Sequence, residues 1–142
     1  MSRLEDNAIG LNTTVFNRID YTESREEMHK RAEKEGLVAV YPADDELFID
    51  IDSANAYALM LNQLDMARQL VEMSLVRDTP SKSGLPHRHV VIKLHAPMCT
   101  ADRIGLQAIM GNDRRCALLQ YFRHINGEKD PILFLEKKND KS

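Results

Sequence analysis

Leu47-Phe48-Ile49-Asp50-Ile51-Asp52, followed at once by Ser53, is the stretch on which the fold turns. Side chains alternate along a strand, so Leu47, Ile49 and Ile51 share one face and Phe48, Asp50 and Asp52 the other. The first face reads as core. The second carries two carboxylates about 7 Å apart along the strand, within reach of one cation. A hard ion such as Mg²⁺ is commonly held by one or two carboxylates together with the phosphates of a substrate. The plainer alternative is a strand running into a solvated acidic turn, with Ser53 capping the helix that follows.

Working outward, Ser24 to Lys34 is charge-rich, with Ser24 and Glu27 spaced as a capping box and Gly36 as the C-terminal stop. Leu37–Tyr41 reads as a short buried strand and 42–46 as a turn. After Ser53, Tyr57, Met60, Leu61, Leu64, Ala67 and Val71 form an apolar stripe that predicts a helix ending near Leu70 or Val71. A strand is expected over Met73–Asp78, a turn-rich loop over 79–86 and a strand over His89–Leu94. Two helices follow, Thr100 or Ala101 to Met110 and Asp113 to Ile125, the second capped by Asn112. Pro131–Glu136 is the last strand. A further strand is expected around Thr14–Phe16.

From Leu47 the order is strand, helix, strand, strand, helices, strand. This is the split βαβ pattern of an α+β, RRM-like or ferredoxin-like antiparallel sheet with helices on one face. The chain then divides into an N-terminal arm and helix (1–36), a palm-like core (37–136) and a disordered tail (137–142), all within one domain. The first and third strands of that pattern lie antiparallel at the centre. The end of the first therefore meets the start of the third, and Asp50 and Asp52 meet His87 and His89.

The 142 residues are 43% hydrophobic and 29% charged, ordinary for one globular domain. A net charge of −3 excludes any global attraction to nucleic acid, so a polyanion would be met by local basic groups or bound metal. Cys99 and Cys116 have no disulfide or zinc spacing and suit a reducing cytoplasm. No apolar run approaches a membrane span, and no signal-peptide core or internal repeat is seen. The seven methionines read as core filler. His29, His95 and His124 have no evident partner.

The segment Ser81-Lys82-Ser83-Gly84-Leu85-Pro86-His87-Arg88-His89 is the second cluster. Gly84 permits close backbone approach, and loop N–H groups with Lys82 and Arg88 suit phosphate oxygens. The plainer alternative is a hairpin loop with surface histidines.

These two segments resemble the archaeo-eukaryotic primase (primase-polymerase) superfamily over about Leu37 to Glu136. Its first motif, an hhhDhD strand, is matched by residues 47–52. Its Ser-Gly loop leading to a histidine is matched by Ser83 to Val90. Its third motif, one acidic residue on a later strand, falls to Asp130 by position or to Glu136 by its Leu-Phe-Leu-Glu setting. The resemblance implies template-directed nucleotidyl transfer. Asp50 and Asp52, with Asp130 or Glu136, would hold two metal ions, Mg²⁺ or Mn²⁺, that activate a 3′-hydroxyl and neutralise the triphosphate. His89 would bind the phosphates of a nucleoside triphosphate, assisted by His87, Ser83, Lys82 and Arg88. A single-stranded template and a replication protein are the implied partners, with no membrane. The chain departs from that family in its small size and lack of a zinc module, as a minimal or degenerate member would, either one from a phage or plasmid or a relative that has kept the site and lost the synthesis.

Two other classes are open. His87 and His89 with Tyr121 are similar to the HxH and tyrosine of rolling-circle nicking proteins, although Tyr121 lies in helical register with Leu118 and Ile125 and suits core packing. A non-catalytic RRM-like module binding nucleic acid or protein is the other. Arg103, Arg114, Arg115 and Arg123 form either a basic surface or an ordinary solvated helix face. Asp113 suits a helix dipole, and Asp44-Asp45-Glu46 either adds charge beside the metal site or is a solvated turn.

Overall fold

A computed structural model describes residues 24–138, so Thr14–Phe16 lies outside the described residues. The elements are α1 (Arg25–Lys34), β1 (Leu37–Val40), β2 (Glu46–Ile51), α2 (Ala54–Arg68), β3 (Met73–Pro80), β4 (Arg88–Leu94), α3 (Thr100–Ile109), α4 (Arg114–Ile125) and β5 (Phe134–Lys137). The class is α+β with antiparallel sheets.

Local chemistry sets the helix starts. Ser24 and Glu27 form the expected capping box, each side chain accepting the other's backbone N–H at 3.0 Å. Ser53 Oγ accepts from the Ala56 N–H at 3.1 Å and opens α2. The cap of α4 is Asp113, whose side chain accepts from the Cys116 N–H. Asn112, expected there, is buried and used elsewhere.

One sheet has the order β2-β4-β3, with Glu46↔Lys93 through Ile51↔Arg88 as the register between its first two strands. Its first face is the expected core. Leu47, Ile49 and Ile51 are fully buried against Met60 and Leu64 of α2, with Val90, Ile92 and Leu94 beside them. Each such aliphatic side chain contributes about 2 kcal/mol by leaving water. The stripe on α2 is narrower than expected, since Leu61 and Val71 are exposed.

The second face departs from the reading of a single core layer. Phe48 is buried there with Val91, Ile104, Ile132 and Phe134. Phe134 stacks on Phe48 with centroids 4.3 Å apart and planes at 6°. The helices therefore do not simply cover one face: α2 packs on the first, and β5 brings Phe134 onto the second. β5 pairs with β1 in a separate ribbon, Leu37↔Lys137 through Val40↔Phe134. Val38 of that ribbon is exposed, so β1 is not the buried strand expected. Lys137 belongs to β5, and the Lys138 N–H donates to the Gly36 carbonyl at 3.0 Å, so order extends past the expected start of the tail.

β2 is an edge strand of its sheet, whereas the split βαβ reading places it at the centre. Several of its outer backbone groups are satisfied by buried side chains and by the segment between α3 and α4 instead of another strand. Phe48 N–H donates to Gln107 Oε1 at 2.8 Å and Asp50 N–H to Asn112 Oδ1 at 2.7 Å. The Asp113 N–H donates to the Asp50 carbonyl at 2.8 Å. These three groups therefore do not need β5 as a partner.

Candidate functional site

The antiparallel pairing of β2 and β4 sets Asp50 opposite His89, on the face that carries Phe48 and Val91. One step further out, His87 Nδ1 donates to Asp52 Oδ1 at 2.8 Å. The expected meeting of the aspartate pair with the HxH pair is thus present. His89 Nε2 stands 4.0 Å from Asp50 Oδ1, and its Nδ1 donates to Glu136 Oε2 at 3.1 Å. The Phe134 ring lies parallel to the His89 imidazole at 3.8 Å, and both side chains are nearly excluded from solvent.

Glu136 is itself held by Arg77, whose Nη1 donates to Oε1 at 3.1 Å while Nη2 donates to Oε2. A bulge in β3 makes this possible. Leu75 pairs with Ile92 and Arg77 with Val91, so Val76 is the extra residue and Arg77 is switched to the Asp50 face.

Two hollows flank His89. One, of about 460 Å³, is lined by Thr79, Ser81, Lys82, Gly84, Glu136 and Lys137 among others. The second, of about 250 Å³, is lined by Asp50, Lys82, Cys116 and Gln120, with Arg31 and Arg123 adding positive charge and Met28, Leu133 and Leu135 an apolar wall. Lys82 and His89 belong to both. The loop between β3 and β4 is tightly closed: the Ser81 N–H donates to the His87 carbonyl at 2.9 Å and the Gly84 N–H to the Ser81 carbonyl at 2.9 Å. Gly84 has a φ of +79°, a conformation a side chain would strain.

Several expected members lie elsewhere. Arg88 is on the α2 side of the sheet by simple alternation from His89. It donates to Asp78 Oδ1 at 2.9 Å and stacks 4.0 Å over the Tyr57 ring, so it is not a phosphate ligand of this site. Ser83 is exposed and lines neither hollow. Asp130 sits before β5 with φ +54°, its carbonyl accepting from Arg25 Nη2 at 2.8 Å, away from the groups around His89. Of the two candidates for a third carboxylate, Glu136 is the one brought to the site. Asp44 and Asp45 lie at the far end of the sheet, where Asp45 pairs with Lys93 at 2.8 Å. Arg103 is buried, donating to the Met98 and Ala43 carbonyls at 3.1 and 3.2 Å, and offers no surface to a template. Arg114 and Arg115 are exposed, and Arg123 lines the second hollow.

Tyr121 does not pack in the core. It is exposed along with Leu118 and Ile125. Cys116, Leu119, Gln120 and Arg123 are the α4 residues that line the hollow. At 100° per residue the Tyr121 stripe lies on the other side of the helix, so the HxH–tyrosine nicking arrangement is not assembled. His29 does have a partner, Tyr41 Oη at 3.1 Å from its Nε2.

Burial first, then the charges of Asp113 and Asp52, raise the Asp50 carboxyl to about 6. Burial also lowers His89, with the Glu136 hydrogen bond and charge opposing it, so the imidazole is neutral at pH 7. The Cys116 thiol is pushed up to about 12, chiefly by burial, and stays protonated. Sequence reasoning missed Asp113 and Arg77 as neighbours of the site. Among the described residues no three His, Cys, Asp or Glu side chains already converge as a metal-ion cage. Asp50 and His89 nevertheless face one another, and an ion held by Asp50 would relieve the repulsion from Asp52 and Asp113. Two carboxylates suffice for Mg²⁺ when phosphate oxygens and water complete its shell.

No protein-family model, curated protein or solved structure matches the chain. Among the described residues no helix is long and apolar enough to cross a membrane.

Proposed function

We propose that the chain is a metal-dependent nucleotidyltransferase of primase-polymerase type. One observation carries this reading: β2 and β4 bring the Asp50–Asp52 pair against His89, His87 and a closed Lys82–Gly84 loop, with a hollow on each side of His89. In it, the β2-α2-β3-β4 unit is a palm-like sheet whose last strand pairs with β1 in place of the β2 edge. Asp50 and Asp52 hold Mg²⁺ or Mn²⁺, with His87 orienting Asp52. The ion supplies charge neutralisation at the triphosphate and activation of the acceptor oxygen. Lys82 receives phosphate oxygens, and the cationic side chains of the second hollow suit a nucleic-acid backbone. The substrates are nucleoside triphosphates and a single-stranded template.

The test is incorporation of labelled nucleotide on single-stranded templates, primed and unprimed, with Mn²⁺ or Mg²⁺. Wild type is expected to extend or initiate a strand, and Asp50→Ala with Asp52→Ala to reduce the rate about a thousandfold, equivalent to roughly 4 kcal/mol of lost stabilisation. Wild-type protein that neither incorporates nucleotide nor gives a calorimetric signal with Mn²⁺ and a triphosphate would overturn the reading.

A further inference from the structure

We propose that Glu136, clamped by Arg77, is a positioning residue: it keeps the His89 proton on Nδ1, turns a bare Nε2 towards Asp50, and does not ligate metal. The placement of the proton rests on geometry alone. Its consequence for catalysis rests on the nucleotidyl transfer proposed above.

A carboxylate only accepts, so the 3.1 Å contact between Glu136 Oε2 and His89 Nδ1 requires the proton on Nδ1. Arg77 donates to both Glu136 oxygens, so the carboxylate remains ionised and is oriented by a two-pronged contact. Three features hold this assembly in place. The β3 bulge delivers Arg77 to this face. Glu136 and Phe134 are two apart on β5 and so share a side of that strand. Phe134 lies within 1° of parallel to the imidazole, which sets the ring's tilt. Nε2 stands 4.0 Å from Asp50 Oδ1, beyond hydrogen-bond reach, whereas a protonated Nε2 would close on that carboxylate, so with the proton on Nδ1 it presents only a lone pair. Two acceptors facing across that gap call for a water, which donates to both, or a cation between them. Such an Nε2 cannot donate to a phosphate oxygen. His89 therefore serves the acceptor hydroxyl or the metal's water, and the triphosphate is left to Lys82.

The test is multiple-bond ¹H–¹⁵N NMR of the ¹⁵N-histidine-labelled full chain at pH 8, with His89 assigned by loss of its signals in His89→Gln. The expected wild-type pattern is protonated Nδ1 and unprotonated Nε2. Glutamine could keep its amide oxygen on both Arg77 Nη2 and Nδ1, so the variant used is Glu136→Leu: no acceptor then faces Nδ1, and the proton is expected to move to Nε2. Mn²⁺ affinity of Glu136→Leu is expected to stay within about twofold of wild type, while kcat for nucleotide incorporation falls about 10- to 100-fold with KM little changed. A proton on Nε2 in wild type overturns the proposal, and that spectrum decides even if the variant fails to fold. An unmoved proton in the variant, or loss of Mn²⁺ binding with Glu136, also overturns it. Wild-type protein inactive with every nucleotide sinks the proposed function instead, and the tautomer still judges Glu136.

Discussion

Asp50→Asn is expected to melt about 4 °C above the wild-type protein at pH 7.5 and to have lost nucleotide incorporation. The stabilisation follows from the carboxyl's surroundings. Burial, Asp113 and Asp52 raise it to about 6 from 3.8, so the folded state at pH 7.5 carries a charge that its site disfavours. A folded-state value above the unfolded one means that the native protein binds the proton more tightly. The stability from this group is therefore fully present below about pH 4 and is lost as the pH rises through about 6. The side chain is 36% exposed, so solvent screening reduces the full shift to about 1 kcal/mol. For a chain of this size that is about 3–5 °C in Tm. The gap between variant and wild type should open between pH 4 and 6 and close in acid. Asparagine keeps the shape, and the backbone bond from the Asp50 N–H to Asn112 does not depend on the side chain. Mn²⁺ with a nucleoside triphosphate should raise the wild-type Tm, by about 2.7 kcal/mol of stability at a hundred times Kd, and leave the variant unmoved. Thermal melts across that pH range are the measurement. A variant that melts at or below wild type at pH 7.5 contradicts the strained-carboxylate account, and one that retains transfer contradicts the role given to Asp50.

That the destabilising residue is also the one assigned the chemistry connects to what could be read from the sequence. The Asp50–His89 meeting was legible because it needs only two rules: alternation along each strand and antiparallel pairing of the first with the third. Both are local or topological, and neither depends on a neighbouring layer. Phe48 obeys the same alternation, yet its burial was not legible, because Phe134 covers it from a strand 86 positions later in sequence. Arg77 was hidden by a single residue. Counting in twos from Leu75 places it on the core side, and only the bulge at Val76 reverses that. Tyr121 was misread because helical spacing shows which residues share a stripe but not which stripe faces inward. Leu118, Tyr121 and Ile125 do share one, and it faces solvent. Asn112 and Asp113 are both competent caps, and the choice between them was made by Asp50, whose N–H takes the Asn112 side chain. The sequence contains both partners of that bond 62 positions apart, with no local pattern linking them.

The same edge of β2 supports the largest expected loss of stability, in Gln107→Leu. Gln107 is fully buried and uses both ends of its amide. Oε1 accepts from Phe48 N–H at 2.8 Å, and Nε2 donates to Gln120 Oε1 at 2.9 Å. Leucine fills nearly the same volume, so the effect is polar and not a cavity. It leaves the Phe48 N–H without a partner and removes a donor from Gln120, itself buried. At about 1–3 kcal/mol for each unsatisfied buried group, the loss is about 3 kcal/mol, near 10 °C in Tm. Gln120→Leu should cost less, since Gln107 keeps its bond to β2. The double variant Gln107→Leu, Gln120→Leu should recover about 1 kcal/mol relative to the sum of the singles, because the orphaned Gln120 oxygen is gone. Denaturant melts of the three variants measure these differences. Gln107→Leu as stable as wild type would show that the β2 edge finds other partners. The expected loss also has a second consequence. An edge strand with free N–H groups is a template for pairing with another chain, so this variant should aggregate on heating at concentrations where wild type remains clear. Asp50 lies two residues along the same edge, so the buried amides that keep β2 from pairing with other chains also fix the strand on which the proposed metal ligands sit.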